Sequence, residues 1–87
     1  MADKPDQVFR PQHYARFTID PITFCIANGL SADVSFAIKY LCRFPYKNGK
    51  QDVEKARRMC DMILERLDRE ARIAAGEAPS EVWKDML

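Results

Sequence analysis

Between Val53 and Ala74, apolar residues recur in steps of three and four: Val53, Ala56, Cys60, Ile63, Leu67, Ala71 and Ala74. A strand repeats every two residues and a helix every 3.6, so a run this long in this rhythm folds as one long helix. Charged residues fill its other faces, including Glu54–Arg58 and Glu65–Arg69 at i,i+4, which contribute only a few tenths of a kcal/mol each. The spacing predicts a helix over 51–75. Its heptad-like seam favours packing on an antiparallel neighbour or a symmetry mate. Gly76 and Pro79 end it.

Two shorter helices precede it. Asp20 can cap free amides and Pro21 suits the first helical position, which predicts a helix near 21–28 closed by Asn28-Gly29. Ser31 is the expected cap of a second helix over 31–43, with Asp33 complementing the dipole and Pro45 turning Phe44 away from helical geometry. Lys47-Asn48-Gly49 then forms a turn in which Asn and Gly supply positive φ. Ser80 is the expected cap of a final short turn or helix carrying Val82, Trp83, Met86 and Leu87, which docks on the same chain or on a neighbour. Residues 1–18 show no sustained period and read as an extended arm with Val8, Phe9, Tyr14 and Phe17 as anchors. The expected fold is all-α: an arm at 1–18, a helical domain at 19–76 and an apolar tail at 77–87.

The totals narrow the function. A chain of 87 residues has room for one domain. A domain of this size buries about 60–65% of the surface its unfolded chain exposes, which favours a homo-oligomer. With 14 basic residues against 13 acidic ones, the net charge of +1 argues against general coating of DNA or RNA. Cys25, Cys42 and Cys60 are odd in number and lack metal-ligand spacing, so they read as small buried apolar side chains in a reducing cytosol. No apolar run approaches membrane-spanning length, and the Met-Ala-Asp-Lys-Pro start lacks a signal-peptide core. The expected location is the cytoplasm.

One helical face carries chemistry. Phe36, Lys39, Tyr40 and Arg43 share a sector, opposite Val34, Ala37, Ile38, Leu41 and Cys42, which are expected to face the core. Lys47 lies just beyond the helix end, and the start of the next helix offers free amides and Lys55. Arg can grip a phosphate with two parallel hydrogen bonds, Lys supplies a movable charge, and Phe36 or Tyr40 could stack on a base. The bland alternative is a solvated basic face whose lysines pair with Asp52 and Glu54. His13 and Tyr14 could reach the same ligand if the arm folds over this face. Asp20, Asp33 and Asp52 are explained by capping and dipole effects, and a magnesium site would need some of them to converge. The glycine-rich phosphate loop ending in Lys-Ser/Thr does not occur, and no metal-binding residues are expected.

The runs His13-Tyr14, Pro21 with Phe24 and Asn28, Ala37-Ile38-Lys39-Tyr40-Leu41-x-Arg43 and Lys47-Asn48-Gly49-x-x-Asp52-x-x-Lys55-Ala56 resemble a small phage-encoded helical domain over about residues 13–68. That family is catalogued as of unknown function, or as a nucleotide kinase by association with a phage deoxynucleoside monophosphate kinase. The resemblance implies a compact helical domain of phage origin, oligomeric, with recurrent polar residues at His13, Lys39, Tyr40, Arg43, Lys47, Asp52 and Lys55. Residues and resemblance together give one leading expectation. A homo-oligomer binds a nucleotide or nucleotide-like phosphate through His13, Tyr14, Phe36, Lys39, Tyr40, Arg43, Lys47, Asp52 and Lys55, and sequesters a host nucleotide signal against antiphage defence. It needs no cofactor. One alternative is a deoxynucleoside monophosphate kinase using ATP and magnesium, which in so short a chain requires a site shared between subunits. The other is an inhibitor that docks on a host defence protein through the long seam and the Val82-Trp83-Met86-Leu87 patch.

Overall fold

The computed structural model describes residues 16–86 and is all-α. Helix α1 spans Pro21–Ala27, α2 Ala32–Arg43, α3 Lys50–Ala74 and α4 Pro79–Val82, followed by a 3-10 turn at Lys84–Met86. The boundaries of the three main helices agree with the sequence reading to within a single residue at each end. Apart from residues 16–18, the expected arm lies outside the described residues.

Local chemistry explains α1 well. Asp20 Oδ1 accepts from the Ile22 amide at 2.8 Å, and Pro21 occupies the first helical position. At the other end Gly29 takes φ +62, which lets the Leu30 amide reach the Cys25 carbonyl at 3.0 Å and satisfy a carbonyl the helix leaves open.

The start of α2 departs from expectation. Ser31 does not cap the backbone; its hydroxyl donates to Asp33 Oδ1 at 2.6 Å, and that oxygen also accepts from the Val34 amide at 2.9 Å. The carboxylate is the stronger acceptor, so it takes the amide and turns the hydroxyl into a donor. The end of α2 is also different in cause. Phe44 keeps right-handed helical dihedrals (φ −56, ψ −36) despite the following proline, and its amide still donates to the Tyr40 carbonyl. The helix stops because Pro45 has no amide to donate. In the turn that follows, only Gly49 has positive φ (+51), so Asn48 does not share that role. The Gly49 amide folds back to the Phe44 carbonyl at 3.0 Å.

Helices α2 and α3 form an antiparallel hairpin clasped at both ends. Near the turn, Arg43 holds Asp52; at the open end, Arg66 Nε holds Asp33 Oδ2 at 2.7 Å. Asp52 and Arg66 share one sector of α3 with Met59 and Ile63, and this sets the rotation of the helix. The inward spine is therefore Asp52, Ala56, Met59 and Ile63. Of the expected seam, Val53, Cys60, Leu67, Ala71 and Ala74 remain exposed, and Leu41 on α2 is exposed as well. The expected burial of all three cysteines is corrected at Cys60 in the same way. Cys25 is buried, and burial pushes the half-buried Cys42 thiol upward, with Cys25 adding to it.

The surface pairs are also different partners. Lys50 faces Glu54, Arg58 reaches Glu65 and Arg66 reaches Glu70, in place of Glu54–Arg58 and Glu65–Arg69. Arg69 is needed elsewhere. It donates to the Val82 carbonyl, binds Asp85 through both nitrogens at 2.8 and 3.0 Å, and lies 4.8 Å from the Trp83 ring centroid. The tail thus docks on α3 of its own chain, with Val82 buried. Its helix starts at Pro79, preceded by Ala78, so Ser80 sits inside the first turn and does not cap it.

Candidate functional site

The hairpin brings the basic residues of α2 and the first turns of α3 around one ring. From the centroid of Tyr40, the Arg43 guanidinium carbon lies at 5.2 Å, Lys39 Nζ at 5.4 Å and Lys55 Nζ at 5.6 Å. Lys39 is equally close, 5.4 Å, to the ring of Phe36, which stacks on Tyr40 one turn away with centroids 6.4 Å apart and planes 24° apart. Each of these distances lies within the range where a cation feels the negative face of a ring. The i,i+3 and i,i+4 spacing on α2 puts Phe36, Lys39, Tyr40 and Arg43 together, and the antiparallel return adds Lys55.

The cations are not equivalent. Arg43 Nε and Nη2 grip Asp52 Oδ2 and Oδ1 at 2.9 and 2.8 Å, and Asn48 Nδ2 donates to Oδ1 at 3.2 Å. Asp52 is fully buried. The Arg43 hydrogen bonds, with help from Asn48 and the charge of Lys55, outweigh burial and hold its carboxyl at about 2. The guanidinium edge expected to clasp a phosphate is therefore used on Asp52, whose charge Lys55 also feels. Among the described residues neither Lys39 nor Lys55 has a carboxylate within ion-pair distance. The expected pairing of lysines with Asp52 and Glu54 thus occurs through Arg43 and Lys50 instead.

The start of α3 is not an open anion seat. The amides of Gln51 and Asp52 donate to the carbonyls of Asn48 and Gly49 at 3.1 Å. The Asp52 carboxylate already answers the positive end of the dipole. Lys47 stays exposed on the turn. His13 and Tyr14 lie outside the described residues.

Phe36 stands at the edge of two open hollows that sequence reasoning missed. One, of about 450 Å³, is lined by Ile22, Ala32, Ser35, Phe36 and Lys39 between α1 and α2. The other, of about 460 Å³, lies between α2 and α3, with Phe36, Met59, Met62 and Arg66 in its wall. No local pattern announces them, because each needs residues from two helices. Arg16 adds another cation–ring contact at the turn, 4.0 Å from the Tyr46 centroid. Among the described residues, no group of three or more His, Cys, Asp or Glu is placed to hold a metal ion, and no helix is long and apolar enough to cross a membrane.

The model of a family described as a protein of unknown function, DUF3310, matches residues 8–61, more than half of the chain. The match contains the expected ligand-face residues from His13 to Lys55. No curated protein and no solved structure matches the chain.

Proposed function

We propose that this chain, which belongs to the DUF3310 family, binds a nucleotide or nucleotide-like phosphate on the Lys39–Tyr40–Lys55 face. One observation carries the reading: three cations surround the Tyr40 ring, and among the described residues only Arg43 of the three forms an ion pair with a carboxylate. Two ammonium groups without a direct ion pair among the described residues raise the positive potential beside one ring, and an anion placed between them relieves it. Phosphate supplies that anion. The exposed Phe36 ring and the adjoining hollow at Ile22, Ala32 and Ser35 offer a surface for a base. Arg43 acts as a positioning residue: locked to Asp52, it fixes the tilt of Tyr40 and the approach of Lys55.

In this reading the protein is of phage origin and works as a homo-oligomer in the host cytoplasm. It sequesters a nucleotide signal used in antiphage defence. Binding alone needs neither magnesium nor a second substrate. The kinase alternative asks more of the site, since Asp52, the carboxylate that senses Lys55, is already committed to Arg43 and Asn48. The docking-inhibitor alternative keeps the exposed α3 seam but loses part of its tail patch, because Val82 is buried and Arg69 lies against Trp83.

Calorimetry across linear and cyclic nucleotides, with and without magnesium, tests the proposal. Saturable binding without magnesium is expected, and Lys39→Ala and Lys55→Ala should each abolish it while leaving the helical spectrum intact. ATP-dependent conversion of a monophosphate would favour the kinase. No binding to any phosphorylated ligand would refute the reading.

A further inference from the structure

Helix α3 carries two apolar stripes, and among the described residues only one of them is covered. The inward stripe of Ala56, Met59 and Ile63 meets α2. The second runs Val53, Arg57, Cys60, Leu64, Leu67, Ala71 and Ala74, in strict steps of four and three. Along it Leu64 is 63% exposed, Leu67 51% and Val53 41%. The 3.5-residue repeat is the seam of a coiled coil, which differs from the broader face a helix turns towards its own domain. The core of the single chain cannot compensate for that exposure. Among the described residues its buried hydrophobic side chains are those of Cys25, Ala37, Ala56 and Val82, all small.

We propose that this seam is a self-association surface on which α3 of a second copy lies antiparallel. The inference supplies the interface for the homo-oligomer named above and rests on that part of the reading, but not on the nucleotide. Charge selects the direction. In a parallel pair Arg57 would face Arg57 of the partner subunit inside the seam. In an antiparallel pair centred between Cys60 and Leu64, Val53 meets Ala71 of the partner subunit and Cys60 meets Leu64 of the partner subunit. Arg57 then packs beside Leu67 of the partner subunit and reaches Asp68 of the partner subunit, and two-fold symmetry repeats each contact.

Size is consistent with a weak dimer that forms at high concentration. The layers from residue 53 to residue 71 extend about 27 Å along the helix. Two helices about 10–12 Å wide in contact over that length share a footprint of about 300 Å² each, about 600 Å² in total, the size of a weak, concentration-dependent contact. The two-fold arrangement is self-complementary and closes at two copies.

Light scattering on the full chain without nucleotide, over a dilution series, provides the test. The mass should approach twice the 10.1 kDa of one chain at high concentration and fall on dilution. Leu64→Glu with Leu67→Glu should give the single-chain mass at every concentration with an unchanged helical spectrum. As a second measurement, Leu64→Cys should form an interchain disulfide with Cys60 of the partner subunit under mild oxidation. A wild-type chain that stays at single-chain mass would overturn the proposal. So would an oligomer that survives the paired charges. Nucleotide titration of the single-chain variant then tests the ligand face separately.

Discussion

Asp52→Asn is the sharpest probe of what holds the hairpin together. The Asp52 carboxyl is brought from 3.8 to about 2, chiefly by the two Arg43 hydrogen bonds. At about 1.36 kcal/mol per pH unit, that displacement corresponds to about 2 kcal/mol of native-state stability at neutral pH. The amide keeps the shape of the carboxylate but removes its charge. It leaves the Arg43 side chain, only 11% exposed, against a neutral partner. Truncating one partner of a buried pair costs more than the pair itself contributes, so about 2–3 kcal/mol is expected. For a domain of this size that lowers Tm by about 10–20 °C. Thermal and urea melts followed by far-ultraviolet circular dichroism provide the readout, at fixed protein concentration because self-association raises Tm. A cycle with Arg43→Gln should show that most of the loss belongs to the pair. A variant within about 0.5 kcal/mol of wild type would refute the reasoning, because that is the range of an ordinary surface substitution.

Three further outcomes follow from the same geometry. Asp33 and Asp52 both titrate at about 2 in the native chain, against 3.8 unperturbed. The unfolded chain binds more protons in that window, so stability should be full above about pH 4 and drop as pH falls towards 2; a flat profile would contradict both clasps. Gly49→Ala meets no atom within 4 Å, yet forces an L-residue to φ +51 and ψ −126, so a loss of about 1–2 kcal/mol in chemical melts should come from the backbone alone. Arg69→Ala removes the anchor of the tail. Trp83 fluorescence should move to the red and the tail become protease-sensitive, while the hairpin melt shifts by less than about 1 kcal/mol.

The sequence signals that worked were local. Asp20-Pro21, Asn28-Gly29, Gly49 and Gly76 lie next to the helix ends they mark, so their chemistry can be read without knowing the fold. Gly76, for example, closes α3 with φ +110 as a terminal glycine should. The misreadings came from partners far along the chain. Ser31 looked like a cap, but Asp33, held by Arg66 from 33 residues away, is the better acceptor. The α3 seam was read as a single stripe, whereas of its residues Ala56 and Ile63 turn towards α2 and Val53, Cys60, Leu67, Ala71 and Ala74 stay exposed, a rotation set by the Asp33 and Arg43 clasps. Helical spacing placed Phe36, Lys39, Tyr40 and Arg43 on one side, and the short turn made the return of Lys55 readable. That Arg43, and neither Lys39 nor Lys55, would form the ion pair with Asp52 was not readable, because a pattern of charges does not show which pairs form. The hollows beside Phe36 were equally hidden, being products of how α1 and α3 flank α2.

The central claim is that the Tyr40 face takes a phosphorylated, ring-bearing ligand. Amide and side-chain NMR shifts of the wild-type chain, followed during titration with linear and cyclic nucleotides in magnesium-free buffer, test it most directly. Saturable shifts centred on Phe36, Lys39, Tyr40 and Lys55, and absent in Lys39→Ala with Lys55→Ala, are the predicted result. Unchanged spectra throughout, or shifts confined to the exposed seam from Val53 to Ala74, would contradict it.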